Sequence, residues 1–273
     1  MGINDPSASS RPAATTPRGE ELFDVSGRLA LITGSTRGLG RHFARVLARA
    51  GAMVVIHGRD AYAVEQARSE VEEETGRAAL GIAVDVTDID AVRDTLERLV
   101  SEHGTPDILV NNAGLQRRAP LYEFAPADWD EIVDVNLSSV FYVSRWIIPG
   151  MVERGAGKIV NIGSVQSLLA RETIAPYSAT KGAVAQLTKG MAADLARHNV
   201  QVNTISPGYF ATDMNRALVD DPDFSNWLAQ RTPARRWGAP EELSGALLFL
   251  CSEASSFISG QNLFVDGGMT AVV

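Results

Sequence analysis

Leu29-Ala30-Leu31-Ile32-Thr33-Gly34-Ser35-Thr36-Arg37-Gly38-Leu39-Gly40 carries an apolar run straight into three glycines, and a helical pattern follows from Arg41 to Ala50. The order is strand, tight turn, helix. Glycines let a backbone come close to a pyrophosphate, and the first turn of a helix offers amide N–H groups and a positive dipole end. The spacing is T-G-x-x-x-G-x-G, not the G-x-G-x-x-G of the commonest dinucleotide fingerprint. Alone, a glycine-rich turn could be only a turn. Its place between a β-rich run and an amphipathic helix makes it a phosphate site.

Outward from this unit, strand-like runs alternate with helical patterns. The strand candidates are residues 28–33, 52–57, 78–84, 107–111, 158–162, 200–205 and 262–265. Such alternation implies a parallel sheet covered on both faces, here an α/β doubly wound (Rossmann) sheet of about seven strands. Its ligand crevice lies at the carboxyl ends of the strands. Gly34, Asp85, Asn112, Ser164 and Pro207 all fall at or just beyond such ends. Residues 207–240 interrupt the alternation and hold or adjoin Tyr209, Phe210, Phe224, Trp227 and Trp237. That stretch is either an ordinary packed insertion or a lid that excludes water; its position after a strand's carboxyl end favours the lid. No internal linker is visible, so residues 21–273 are read as one domain.

The chain has 273 residues, 45% hydrophobic and 21% charged, with a net charge of −8. The acidic balance argues against a general nucleic-acid binder. It also means that an anionic substrate needs local cations. One cysteine, Cys251, sits in an apolar helical run and reads as a buried structural thiol, in keeping with a reducing cytoplasm. Residues 1–20 are rich in Ser, Pro, Ala, Thr and Gly, lack the apolar core of a secretory signal, and read as a disordered extension. Met1-Gly2 does not extend to a myristoylation signal, because Pro6 stands where Ser or Thr is needed. No run is long and apolar enough to span a membrane. No metal ligands are assigned.

The run Pro176-Tyr177-Ser178-Ala179-Thr180-Lys181 reads as helix, with Tyr177 and Lys181 one turn apart on one face. A free phenol, with a pKa of about 10, is a poor acid–base at neutral pH. A neighbouring ammonium favours the phenolate and would lower that value. The pair is a ready general acid–base, or else an unremarked Tyr and Lys on a helix surface.

With both motifs in view, the chain resembles the short-chain dehydrogenase/reductase family from about Leu22 to the C-terminus. Asp85-Val86, Asn111-Asn112-Ala113-Gly114, Asn136, Gly163-Ser164, Pro207-Gly208 and Asp266-Gly267-Gly268 stand in the family's order. The resemblance implies hydride transfer to or from a nicotinamide cofactor, with Tyr177 as proton donor or base. Ser164 then hydrogen-bonds the carbonyl oxygen, and Lys181 tunes Tyr177 and binds the nicotinamide ribose. Asn136 holds a water linking Lys181 to solvent. It further implies a cofactor site of Gly34, Ser35, Thr36, Arg37, Gly38, Leu39 and Gly40, with Asp85 and Val86 flanking the adenine. Asn112, Ala113 and Gly114 line the path to the nicotinamide ribose, and Tyr177, Lys181, Pro207, Gly208, Phe210 and Thr212 complete the site. Bland roles stay open: Asp85 as a helix cap, Ser164 as a turn residue, Asn136 as a mid-helix polar residue. A homotetramer is implied too.

The second strand candidate runs into His57-Gly58-Arg59-Asp60. An acid about 20 residues beyond the glycine turn selects NAD, whereas an arginine there accommodates the 2′-phosphate of NADP. Arg59, with Arg37 in the turn, favours NADP over NAD; the other reading gives Asp60 the ribose of NAD. Arg117-Arg118, after Gly114, and Arg171, on the way to Tyr177, suggest an anionic substrate, though each could be a surface arginine. Five runs are similar to those of the family's gluconate 5-dehydrogenase branch: 115–118, 171–177, 195–199, 207–210 and 231–238. That similarity implies a sugar-acid substrate in the D-gluconate/5-keto-D-gluconate couple, with its carboxylate on Arg118 and a hydroxyl on Gln166. Relatives acting on 2-keto-3-deoxygluconate share the double arginine. They remain open, as do a 3-oxoacyl reductase and a catalytically silent dinucleotide-binding scaffold.

Overall fold

The computed structural model describes residues 18–212 and 215–273. Seven strands form one parallel sheet: β1 (Leu29–Ile32), β2 (Met53–Gly58), β3 (Ala79–Ala83), β4 (Ile108–Asn111), β5 (Gly157–Ile162), β6 (Val200–Pro207) and β7 (Asn262–Val265). Their order is β3-β2-β1-β4-β5-β6-β7. All seven sequence candidates are present, with ends shifted by a residue or two. The chain runs outward from β1 through β2 to β3, then returns to lay β4 on the other side of β1. That reversal opens a crevice at the carboxyl ends of β1 and β4.

Alternate residues explain how the sheet is covered. Ala30 and Ile32 face one apolar layer with Phe43, Leu47, Val64 and Leu247, while Leu29 and Leu31 face another with Leu96, Ile147 and Met151. After a short turn of helix, α1 (Gly19–Leu22), the first layer is built by α2 (Gly38–Arg49) and α3 (Ala61–Thr75). The second is built by α4 (Ile89–His103), α6 (Ser139–Arg154) and α7 (Ala175–Leu195), while α5 (Pro126–Val133) packs on α7. A single π-helical turn, Asp134–Ser138, joins α5 to α6. The short α8 (Arg216–Val219) and α9 (Pro222–Arg231) follow β6, and α10 (Ser244–Cys251) returns to the first layer. Cys251 is buried there, its thiol pushed up to about 12 by burial, so it is inert packing.

Residues 1–17 of the expected extension lie outside the described residues. Gly19 and Glu20, expected to be disordered, instead begin α1, where Arg18 and Glu21 pair at 2.7 Å. The 207–240 stretch contains an aromatic cluster. Tyr209 lies 5.7 Å from Phe224 and edge-on to Trp227 and Trp237 at 6.0 and 5.9 Å between ring centroids. Phe210 is different: it is buried in the core against Gly238.

Candidate active site

The glycine turn is held by its neighbours on both sides. Gly34 and Gly38 adopt left-handed φ values of 62° and 55°, which side-chain-bearing residues rarely take. Gly40 has no room for a Cβ, which would strike the Gly34 carbonyl and come within 2.5 Å of Asn112 Nδ2. The N-cap of α2, Arg37, makes no side-chain capping bond. The first amides of α2 therefore have no side-chain cap and are free to serve as an anion cradle. Thr36 packs on Gly58, where an added Cβ would lie 2.6 Å from its Cγ2, so the turn adjoins the end of β2.

His57 fastens this turn, and sequence reasoning read it only as a strand end. The Gly34 N–H donates to His57 Nδ1 at 2.9 Å, the Ser35 N–H to the His57 carbonyl at 2.9 Å, and the His57 N–H to Ser35 Oγ at 2.9 Å. Accepting at Nδ1 places the ring proton on Nε2, which is buried with no protein partner. Burial lowers the His57 pKa from 6.5 to about 4. As pH falls through 6.5, the unfolded chain takes up a proton that the folded chain refuses until about pH 4. Wild type should thus lose on the order of 3 kcal/mol from this residue across that window. Asn in its place can still accept from Gly34. His57→Asn should match wild type in urea melts at pH 7 and exceed it at pH 4.5; identical acid limbs would refute this.

On the other side of the turn, Thr33 Oγ1 accepts from the Asn112 and Ala113 N–H groups at 2.9 and 3.0 Å. Asn112 Nδ2 donates to the carbonyls of Thr33 and Gly34 at 2.9 and 3.1 Å. The Asn112 side chain thus clamps β1 to β4, which leaves the expected lining of the ligand path to its main chain. The Phe210 ring likewise belongs to the core, and its carbonyl accepts from Thr212 N–H and Asn215 Nδ2. Leu39 packs its side chain against the first apolar layer. These residues can meet a ligand through main chain only. Gly208 is crowded by Asp266, whose Cα lies 2.8 Å from a built Cβ. Val86 is buried, and Asp85 Oδ1 accepts from Thr87 N–H and Oγ1 at 3.0 and 2.8 Å. The cap of α4 is Asp88, not Asp85.

The acid that could have claimed a ribose is already committed. Asp60 caps α3, accepting from the Ala63 N–H at 2.8 Å. Arg59 is exposed, with one long ion pair to Asp85 at 3.8 Å. Arg37 is exposed in the turn and has no ion pair among the described residues.

On the far side of the crevice, α7 presents Tyr177 and Lys181. Lys181 is 5% exposed and donates from Nζ to the Ile162 carbonyl at 2.7 Å. Nζ lies 5.7 Å from the Tyr177 ring centroid. Here the electrostatic expectation is corrected. Burial outweighs the expected attraction: it pushes the Tyr177 phenol above its ordinary value, and the Ser164 hydroxyl pulls it only part of the way back. Burial brings Lys181 down to about 8. Ser164 Oγ accepts from the Gln166 N–H at 3.1 Å, capping a short 3₁₀ turn while facing Tyr177.

Asn136 sits on the π turn, buried and turned toward this pair. Its Oδ1 accepts from the Leu115 N–H at 2.8 Å, and Nδ2 donates to the Leu115 carbonyl at 2.9 Å and to Thr180 Oγ1 at 3.3 Å. Thr180 in turn donates to the Tyr177 carbonyl at 2.8 Å. A Cβ built on Gly114 would lie 3.3 Å from Asn136 Oδ1 and 3.7 Å from Lys181 Nζ, so these three converge. Thr180 and His57 were given no role in the sequence because each acts through a fold contact, and Thr33, the first residue of the glycine motif, shows its part only where β1 and β4 lie side by side.

At the mouth, the double arginine divides. Arg117 pairs with Glu131 at 2.9 Å and Asp128 at 3.8 Å. Arg118 has no ion pair among the described residues; desolvation, then the charge of Arg171, lowers its pKa. Gln166 is buried, and its Oε1 has no partner.

A parallel sheet with a glycine-turn anion cradle and a Ser–Tyr–Lys–Asn set at its strand ends defines a nicotinamide-type oxidoreductase of the Rossmann class. The chain belongs to the short-chain dehydrogenase/reductase family: a model of that family, described as enoyl-(acyl carrier protein) reductase, matches residues 34–270. It is 54% identical over 250 residues to a gluconate 5-dehydrogenase of Gluconobacter oxydans (strain 621H), covering 92% of this chain and 97% of that one. It is 48% identical to a 5-keto-D-gluconate 5-reductase of Escherichia coli (strain K12), covering 93% and 99%. A solved gluconate 5-dehydrogenase from Burkholderia cenocepacia J2315, in complex with NADP and tartrate, superposes with a TM-score of 0.91 at 53% identity, covering 94% of this chain and all of that one.

Proposed function

We propose that the protein interconverts D-gluconate and 5-keto-D-gluconate, using NADP. The observation that carries this reading is an acid–base set beside two arginines, Arg118 and Arg171, that no carboxylate among the described residues neutralises. Relatives named for this couple at 48–54% identity support it. NADP fits the crevice: the α2 amides suit a pyrophosphate, and Arg37 and Arg59 suit a 2′-phosphate. Asp60, spent as a helix cap, is poorly placed to claim a ribose.

When bound, the nicotinamide supplies or accepts the hydride. In reduction, Tyr177 gives its phenolic proton to the ketone oxygen while Ser164 donates a hydrogen bond to the same atom. Lys181 holds the ribose hydroxyls, and Asn136 with Thr180 fixes the helix turn that carries Tyr177. Arg118 takes the carboxylate and Gln166 Oε1 accepts from a substrate hydroxyl. Residues 207–240 act as a lid over the substrate, a reading supported by the aromatic cluster around Tyr209, which lies near Tyr177 and Arg118. We read the assembly as a cytoplasmic homotetramer, supported by exposed Trp129 and Phe141 on α5 and α6 and by the lone buried thiol.

The test is a steady-state panel of keto acids with NADPH and NADH. The expected result is the highest kcat/KM for 5-keto-D-gluconate with NADPH. Greater efficiency with 2-keto-3-deoxygluconate or an acetoacetyl thioester overturns the substrate. Equal efficiency with NADH overturns the cofactor preference, and cofactor binding without turnover revives the scaffold reading.

A further inference from the structure

Two loops meet at the mouth of the site. The Ala119 N–H donates to the Thr173 carbonyl at 3.1 Å, so the segment bearing Arg118 is tied to the segment bearing Arg171. Thr173 holds a left-handed φ of 68°, unusual for a β-branched residue and costly unless its surroundings enforce it. The Arg171 guanidinium lies 4.7 Å from the Phe224 ring centroid and 5.6 Å from that of Trp227. Both rings belong to α9, and both contact Tyr209, which follows β6. Neither arginine has an ion pair among the described residues.

A guanidinium stacked on a ring commits its face and keeps its in-plane N–H groups for an anion. Two like charges held together without a counter-ion repel, and a carboxylate between them relieves that repulsion. We infer that Arg171 is a specificity-determining residue for the acid end of the substrate, forming with Arg118 a two-guanidinium clamp with one arm seated on the aromatic rings of α9. This rests on the sugar-acid reading above. The arrangement links two events. Binding the carboxylate fixes Arg171, and the Phe224 and Trp227 rings are packed on Arg171, so acid recognition also steadies α9 over the site. A neutral ketose of equal length gains neither effect.

Tartrate, a hydroxy dicarboxylate, is a probe that needs no turnover. Its binding to the NADP complex is measured by calorimetry for wild type, Arg171→Gln and Arg171→Lys, with threitol as the uncharged control and NADP affinity as the check on folding. Arg171→Gln should bind tartrate at least about tenfold more weakly, NADP affinity unchanged, with Arg171→Lys in between. Trp227→Leu should also weaken tartrate, but not further in the Arg171→Gln background. Wild-type tartrate affinity in Arg171→Gln, equal binding of threitol, or no saturable tartrate binding by wild type overturns the clamp. Full additivity of the two substitutions overturns the link to α9. Failure of the sugar-acid reading is distinguishable: tartrate would still bind through Arg171 while 5-keto-D-gluconate went unreduced.

Discussion

Tyr177→Phe should lower kcat for ketone reduction by about 10²–10⁴-fold while leaving NADPH binding essentially unchanged. Neither Ser164 nor Lys181 is placed to substitute as proton donor. Ser164 can hydrogen-bond a carbonyl oxygen but does not titrate near neutrality, and the Lys181 ammonium is turned to the Ile162 carbonyl at 2.7 Å. Removing the hydroxyl leaves the ring and its packing in place, so the loss should fall on turnover. Steady-state rates with a parallel fluorescence titration of NADPH separate the two, and near-wild-type turnover would sink the assignment. The direction of the reaction matters as well. Burial raises the Tyr177 phenol, so little of it is phenolate at pH 7. Oxidation, which needs the base form, should accelerate as pH rises, whereas reduction, which needs the proton in place, should not. The same pH response in both directions would contradict the role.

The second large effect concerns the cofactor. The double substitution Arg37→Ala with Arg59→Ala should raise the KM for NADPH by about two to three orders of magnitude, each arginine giving charge-assisted bonds to a 2′-phosphate. The KM for NADH should move little. Both side chains are exposed, and their one ion pair among the described residues is the 3.8 Å contact of Arg59 with Asp85, so folding stability should hardly change. Raising the salt concentration should weaken NADPH binding in wild type and much less so in the variant. Equal losses with NADPH and NADH would show that these arginines serve the shared part of the dinucleotide instead.

Most of the architecture was legible because it is written in local patterns. Apolar runs of four to eight residues bounded by Gly, Asp or Asn gave the strands, and the glycine spacing marked the start of α2. The site was legible where a motif carries the chemistry, as with Ser164, Tyr177 and Lys181. Where two neighbouring residues competed, the sequence favoured Arg118 for the carboxylate and Arg59 for the phosphate, but the physical reason for each division lies in the fold. Arg117 and Arg118 are adjacent and identical, yet one is spent on Asp128 and Glu131 and the other has no ion pair among the described residues and lies near the charge of Arg171. Arg59 and Asp60 are adjacent and opposite, and the capping of α3 takes the acid out of contention. Helical spacing misjudged the electrostatics of Tyr177 and Lys181, because the Lys181 side chain turns toward β5 and burial outweighs the expected attraction. His57 looked like one more buried strand residue; its grip on Gly34 depends on β1 and β2 lying side by side.

The π turn at Asp134–Ser138 acts as a one-residue shim in an otherwise continuous rod. It rotates Asn136 inward to span Leu115 and Thr180, while the Ser139 hydroxyl covers the Val135 carbonyl at 2.7 Å. Sequence length in this short stretch is thus a setting of the catalytic apparatus. A deletion of one residue there would restore ordinary winding, swing α5 by about a quarter-turn against α6, and misaim Asn136, even though every catalytic side chain remained in the chain.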